Sequence, residues 1–493
     1  MRYSTRFGTL MAAGAMFFLA GCLQDLNVTN PNAPDTKRAF STPEDVATLV
    51  GQSFNDWYIA NQYYDPNQAF SVMADAMAAS WGNFGMRFNS NEPRLAYNNN
   101  KTNNDAEVAQ EPWEQNYAAL GEANDALRAI AGGLVIRSGG TDVTETYKAL
   151  ALFVQGAALG NIALIFDQGI IVDETVELPA PLDMRKYGEV SKAALAKLDA
   201  AIALAKAGNW TIPEDLTPGL KITSARMVQL ANTMAARLLA YTPRNAAENA
   251  QVDWAKVYAY ANAGISTGAS PFDFTIVGDG IKWWDGYKGL GSAEGWMRVH
   301  QRLINMMDPT QPAKFPGCDP LPESTSPLDK RLETDFTYFD EIPFDPGRGC
   351  YHFSNYAHTR YEYMNEDGAN AYVGPAPMVL QAENDLLIAE ALVRTGGDLG
   401  RAATLVNKTR VGRGNLPQVP ADAQQLLSAI QHEQDIELLL TGGGIQYYNR
   451  RRIDGLQAGT PRHLPVPQSE LDINSLPTYT FGGAAPNPVH PDQ

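Results

Sequence analysis

The chain has few residues of the kinds that catalysis and cofactors most often use. Three cysteines and six histidines occur in 493 residues. "HEQDI", His432 to Ile436, begins like a zinc-protease helix but lacks a second histidine four residues on. No Gly-x-Ser-x-Gly elbow and no phosphate-binding loop is present, and Gly442-Gly443-Gly444 after a helix reads as a cap and turn. No catalytic residue, metal or cofactor is expected; carboxylate pairs for glycoside hydrolysis are spatial and hidden from sequence. Positive charge is also scarce, with 38 Lys and Arg against 55 Asp and Glu. Such an acidic chain repels nucleic acid, and no basic stripe argues otherwise.

What the N-terminus does have is a short apolar run backed by a cysteine, in "FFLAGCLQDLNVTN", Phe17 to Asn30. Arg2 and Arg6 give a basic start, Gly8 to Leu19 an apolar stretch of about a dozen residues, and Leu19-Ala20-Gly21 a small-residue cleavage site. The run is shorter than the roughly 20 residues a spanning helix needs. Leu-Ala-Gly-Cys resembles the bacterial lipobox, which predicts a signal peptide over 1–21 and acylation of Cys22; the alternative is a secretory signal with an incidental cysteine. Acyl chains at Cys22 would anchor an otherwise soluble protein to a membrane surface. Losing Arg2 and Arg6 with the signal moves the net charge from −17 to −19. Cys318 and Cys350 then remain, an even number in an oxidising compartment, which reads as a disulfide or, failing that, two free thiols. Closing that loop would contribute on the order of 3–4 kcal/mol by chain entropy.

No Ser/Gly linker or charge run divides the mature chain. "STPEDVATLVGQSFNDWYIANQ" carries an N-cap at Ser41 or Thr42, Pro43 in the first turn and apolar residues at helical spacing. Helices are also predicted over Asp75 to Trp81, Trp113 to Ala131, Val143 to Phe166, Met184 to Lys206, Ser224 to Tyr241, Asp253 to Ile265, Pro377 to Thr395, Leu399 to Thr409 and Ala421 to Thr441. The result is paired helices over about 41–265 and 377–441, with an irregular insert of about 268–376 rich in Gly, Pro and aromatics. "ALALFVQGAALGNIALIF", Ala149 to Phe166, is apolar nearly throughout and is predicted to be a buried helix of the stack, its small residues admitting a close neighbour. "NRRR", Asn449 to Arg452, is the one cationic cluster. It is expected on a solvated or salt-bridged face, with a contact to a transporter or to lipopolysaccharide as the alternative.

The helix pairs are similar to tetratricopeptide units, although no strict 34-residue period survives. With the lipobox, "TSARMVQLANTMAARLLAYTPR", "VDWAKVYAYANAGI", "QAENDLLIAEALVRTGGDLGRAATLVNKTRVGRGNLP" and "HLPVPQSELDIN" follow one another in the order of the SusD/RagB surface lipoproteins, which the chain resembles over nearly its whole mature length. Asp385, Glu390 and Ala391 match that family's "aEa" helix, Asn407 and Arg410 its "lN.vR" continuation, and Leu464-Pro465-Val466-Pro467 its closing "PiP" element. Thr441-Gly442-Gly443-Gly444 and "NRRRIDGL" depart from the family's Glu-Gly and Arg…Asp-Leu.

The resemblance implies a single mostly α SusD-like domain over 22–493, tetratricopeptide-like in one part and irregular and ligand-binding in another. It implies a lipid-anchored protein at the outer-membrane surface that captures an oligomeric nutrient and passes it to a SusC-like TonB-dependent transporter. That ligand is most often a glycan and sometimes a peptide; a structural tetratricopeptide-like lipoprotein is the further alternative. Sugar rings stack their C–H faces on aromatic planes and offer hydroxyls to amide, carboxylate or guanidinium groups. Two stretches combine these types. "SWGNFGMRFNSNEPR" offers Trp81, Asn83, Phe84 and Arg87, and "KWWDGYKGLGSAEGWMRVH" offers Trp283, Trp284, Asp285, Tyr287 and Trp296. Adjacent Trp283 and Trp284 cannot both face a ligand from an extended strand.

Overall fold

The computed structural model describes residues 42–176, 183–365 and 371–483. Cys22 and the signal segment lie outside these residues. The first described helix, α1 (Pro43–Gln62), starts as its sequence dictates: the Thr42 hydroxyl accepts from the Asp45 N–H, Pro43 occupies the first turn, and Glu44 and Asp45 face the positive end of the helix dipole.

Helix follows helix from there: α2 (Glu107–Ala131), α3 (Thr144–Ile165), α4 (Tyr187–Ala207), α5 (Ser224–Tyr241), α6 (Trp254–Ala261), α7 (Gln381–Arg394), α8 (Leu399–Gly412) and α9 (Ala423–Ile436). Each packs on the next, α1 also packs on α3, and α7 closes on α9 as well as α8. Thr223, Asp253, Asp398 and Asp422 cap α5, α6, α8 and α9 in turn. Helix α3 is long and apolar enough to cross a membrane, but 89% of its apolar window is buried against its neighbours. Gly156 explains the close approach, since a Cβ there would lie 2.7 Å from Leu198 Cγ on α4.

Between α6 and α7 the insert is built from short pieces. Strand β2 (Phe274–Asp279) pairs antiparallel with β4 (Val373–Val379), while β1 (Met77–Ala78) pairs with β3 (Arg298–Val299) through Met77 opposite Val299 and Ala78 opposite Arg298. Cys318 and Cys350 are joined by a disulfide, their Cα atoms 5.1 Å apart.

Several sequence expectations need correction. Asp75 to Trp81 is not a helix: Asp75 sits at φ 50°, its carboxylate held by Arg94 at 2.5 Å, and the alanine-rich segment after it is drawn into the strand pair with β3. Met184–Lys186 pairs with Gln168–Ile170 before α4 begins, Pro377 lies in β4 rather than in α7, and α6 stops at Ala261. Helix α9 is shorter than predicted, and α2 begins six residues earlier than Trp113.

The largest departure is the Asn449 to Arg452 cluster, which falls in and beside α10 (Ile445–Arg451). Arg451 and Arg452 are buried, not solvated. Arg452 makes a two-pronged ion pair with Glu390, which also holds Arg394 at 2.7 Å. Among the described residues Arg451 has no carboxylate partner; its guanidinium donates to the carbonyls of Leu164, Tyr241 and Arg462. Arg244 does the same at Ala163, Phe166 and Thr242. All of these carbonyls but that of Arg462 lie at the ends of α3 and α5, so two arginines satisfy the negative ends of two helices at once. Burial first, and Arg244 next to it, lower Arg451 to about 9.

Candidate functional site

The β1–β3 pairing sets the two aromatic-rich stretches side by side, because it ties the chain just before Trp81 to the chain just after Trp296. A third contribution comes from the end of α1, where the helix stops at Gln62 and leaves Tyr63 and Tyr64 in the turn. A fourth is Tyr372, at the entrance to β4.

These segments assemble a patch of half-buried rings. Tyr64 stacks on Phe84 with centroids 4.4 Å apart and planes at 23°. Trp284 lies 5.7 Å from Tyr64, 5.5 Å from Tyr63 and 5.8 Å from Tyr372. The hydroxyls of Tyr64 and Tyr372 share a hydrogen bond at 2.7 Å, tying the end of α1 to β4. Burial, then that bond, raise the Tyr64 phenol, so it remains a neutral hydroxyl at ordinary pH. The patch is rigid and amphipathic, with apolar faces and hydroxyl edges.

A second pair lies along the same loop. Trp81 and Trp296 sit 5.5 Å apart, the Trp81 indole N–H donates to the Gly295 carbonyl at 2.9 Å, and Trp296 is 42% exposed. The Arg348 guanidinium lies over the Trp81 ring at 5.3 Å. Asn83, between Trp81 and Phe84 in the chain, is exposed.

Trp283 and Tyr287 do not belong to this surface, which corrects the sequence reading. Trp283 packs its ring against Phe54 and Tyr58, and Tyr287 shares a hydrogen bond with Ser71 at 3.1 Å; both are buried. Asp285, the polar residue between them, is buried too. It caps the short helix Gly286–Gly291 and pairs with fully buried Lys288 at 2.7 Å. The Asp279 carboxylate accepts from the N–H groups of Ile281, Lys282 and Trp283, folding this segment into a turn that leaves Trp283 buried and Trp284 half-exposed. Trp81, Phe84, Trp284 and Trp296 are the predicted rings that reach the surface, and Arg87 is half-exposed beside them.

Sequence reasoning missed Tyr63, Tyr64 and Tyr372. The first two carried a signal, since aromatics in "QYYDP" just beyond a helix C-terminus cannot join that helix's buried stripe. Tyr372 carried none, because its role depends on the pairing of β2 with β4 across some hundred residues.

Other concavities suit an oligomer less well. A cavity among α1, α3, α4 and α5, edged by Arg237 and Tyr448, offers about 40 Å³, room for a few waters and not a sugar ring. A wider groove of about 510 Å³ beside α8 and α9 is edged by Arg410, Gln424, Gln425, Ser428 and His432 but has no aromatic wall. No group of three or more His, Cys, Asp or Glu able to hold a metal occurs among the described residues.

No protein-family model and no curated protein matches the sequence. Solved structures do match. A SusD homolog from Bacteroides thetaiotaomicron superposes with a TM-score of 0.64 at 12% identity, covering 91% of this chain and 98% of its own. The fold is that of the SusD superfamily. A SusD superfamily protein from Parabacteroides distasonis gives 0.64 at 13% identity, with 88% and 97% covered. A SusD-like carbohydrate binding protein from Bacteroides fragilis gives 0.56 at 17%, with 83% and 86% covered. At such identities the likeness carries the SusD architecture, and the ligand must be argued from the residues themselves.

Proposed function

We propose that the protein is a surface lipoprotein, anchored at Cys22, that captures an oligomeric glycan and delivers it to a SusC-like TonB-dependent transporter in the outer membrane. One observation carries the capture step: Tyr63, Tyr64, Phe84, Trp284 and Tyr372 form a fixed set of half-exposed rings with hydroxyl edges, flanked by the Trp81–Trp296 pair. Flat apolar faces edged by donors and acceptors are what a saccharide chain needs from its binder. That a carbohydrate-binding protein of B. fragilis shares the SusD-like fold supports the same reading.

The test is a glycan and peptide library screen on protein lacking residues 1–22. Binding to one polysaccharide class is the expected result, with Trp284→Ala weakening it by about tenfold or more, on the order of 1–2 kcal/mol of lost stacking and burial. Trp284 is half-exposed, so this variant should keep its fold. Trp283→Ala serves as a contrast: its cavity in the core should cost about 3–5 kcal/mol of stability. Peptide binding with no glycan binding would overturn the glycan reading.

The anchor is tested separately. Cys22→Ala should leave the protein out of the membrane fraction, whereas an unchanged distribution on cell fractionation would remove the acylation reading.

A further inference from the structure

Arg87 and Arg348 stand on two segments that meet beside Trp81. Arg87 belongs to the short helix Met86–Asn89, and its backbone N–H donates to the Trp81 carbonyl at 3.0 Å. Arg348 closes the turn Pro346–Arg348, stacks over the Trp81 ring, and donates through Nη1 to the Ser80 carbonyl at 3.0 Å. The segments are fastened together by Tyr351, whose hydroxyl donates to Asn91 Oδ1 at 3.1 Å, and by Ser90 Oγ against His352 Nδ1 at 3.2 Å. The disulfide fixes Cys350, two residues beyond Arg348.

Both guanidiniums lack what other arginines of this chain have. Arg94, Arg302, Arg331 and Arg452 each hold a carboxylate at 2.7 Å or less. Among the described residues Arg87 has no ion pair; its guanidinium lies 5.8 Å from the Phe88 ring and its charge acts on His352. Arg348 has only Asp345, at 3.7 Å, beyond hydrogen-bond distance and with a side chain 61% exposed. Of the nearby acids, Glu294 acts on Arg298, and Glu92 is held by Lys314 and Gln457. In a chain with 17 more acids than bases, two arginines left without close carboxylates beside exposed tryptophans are a surplus of positive charge where ligand would stack.

We propose that the site selects anionic glycans, oligosaccharides bearing carboxylate or sulfate groups, with a ring on Trp81 and Trp296 and the anionic group received by Arg348 and Arg87. This rests on the glycan-capture reading and narrows it. The guanidinium fork suits either anion, since both present paired oxygens to its N–H groups.

The experiment is calorimetric titration with three sets of hexasaccharides: uronates (galacturonate, alginate and their kin), the methyl esters of the same uronates, and sulfated glycans. Each is run at low and high ionic strength on wild type and on the Arg87→Gln, Arg348→Gln double variant. At least one anionic probe should bind, more tightly than its neutral counterpart and less tightly as salt rises. The double variant should weaken it by about tenfold or more while melting as wild type does. The uronate and sulfate sets tell the two anions apart. Neutral probes bound as tightly as anionic ones, or anionic binding indifferent to the two arginines, would overturn the proposal and leave glycan capture standing. If none of the three sets bound, the anionic proposal would fall, and the library screen would decide glycan capture separately.

Discussion

Arg331→Met is expected to destabilise the protein by about 3–5 kcal/mol, one of the largest losses available to a single substitution here. Arg331 is fully buried and donates to Asp329 through Nε and Nη2, to Glu433 through Nη1 and Nη2, and to Glu437 through Nη1. The acids are held by little else: His432 lies 2.8 Å from Asp329, Thr409 donates to Glu433, and Arg360 and Arg413 hold Glu437. Removing the central cation would leave three carboxylates at a seam where the insert, through 329–335 and Arg360, meets α8 and α9. Burial acts to raise the Asp329 carboxyl, but the His432 hydrogen bond and then the Arg331 guanidinium hold it well below the usual carboxylate range. Urea unfolding measures the effect. A loss under about 1 kcal/mol would mean that Arg360, Arg413 and His432 carry the seam without Arg331.

Asp65→Asn is expected to act in the opposite direction, stabilising the protein more strongly as pH rises. The Asp65 side chain is buried, and neither carboxylate oxygen has a hydrogen-bond partner among the described residues. Burial first, then Glu107, Glu111 and Asp105, push it up to about 8. A carboxyl whose folded pKa lies above its unfolded value near 4 binds its proton more tightly when folded, so stability falls as pH climbs from about 4 to about 8. The amide cannot ionise and escapes that loss. Between pH 6 and 9 the variant's advantage should widen by about 2.7 kcal/mol. In the upper part of that window the buried histidines His300 and His352, lowered to about 4 by burial, are neutral and add no slope of their own. Glu122, pushed up to about 8 by burial and by Asp56, contributes a similar but weaker trend that both proteins share. Thermal melts across this range check the claim, and parallel curves for the two proteins would refute it.

How much of this could be read from sequence depended on whether the determinant was local. Helix α5 runs from Ser224 to Tyr241 as predicted, because its cap and its apolar spacing lie within one segment. Thr42 and Pro43 fixed the start of α1 for the same reason. Asp75 to Trp81 failed because Ala and Met favour helix in isolation, while the strand that claims them lies more than two hundred residues away. For "NRRR" the salt-bridged reading holds at Arg450 and Arg452, but the burial of Arg451 was hidden, because its acceptors are backbone carbonyls, two of them at helix ends, which leave no mark in composition. At the candidate site, residue type identified the two stretches, but nothing local chose between Trp283 and Trp284, since a turn closed on Asp279 rather than strand alternation decides which ring is buried. Tyr287 looked equally suitable by type, but its burial follows from the packing of Gly286–Gly291 against Ser71 and could not be read locally.

A crystal structure with the tightest-binding oligosaccharide from the screen would show whether ligand is held on the exposed rings. A sugar ring is expected to lie flat on Trp284 or on the Trp81–Trp296 pair, with hydroxyls reaching the Tyr64 and Tyr372 edge. Ligand seated instead in the groove edged by Arg410, Gln424 and His432, with these rings bare, would contradict it.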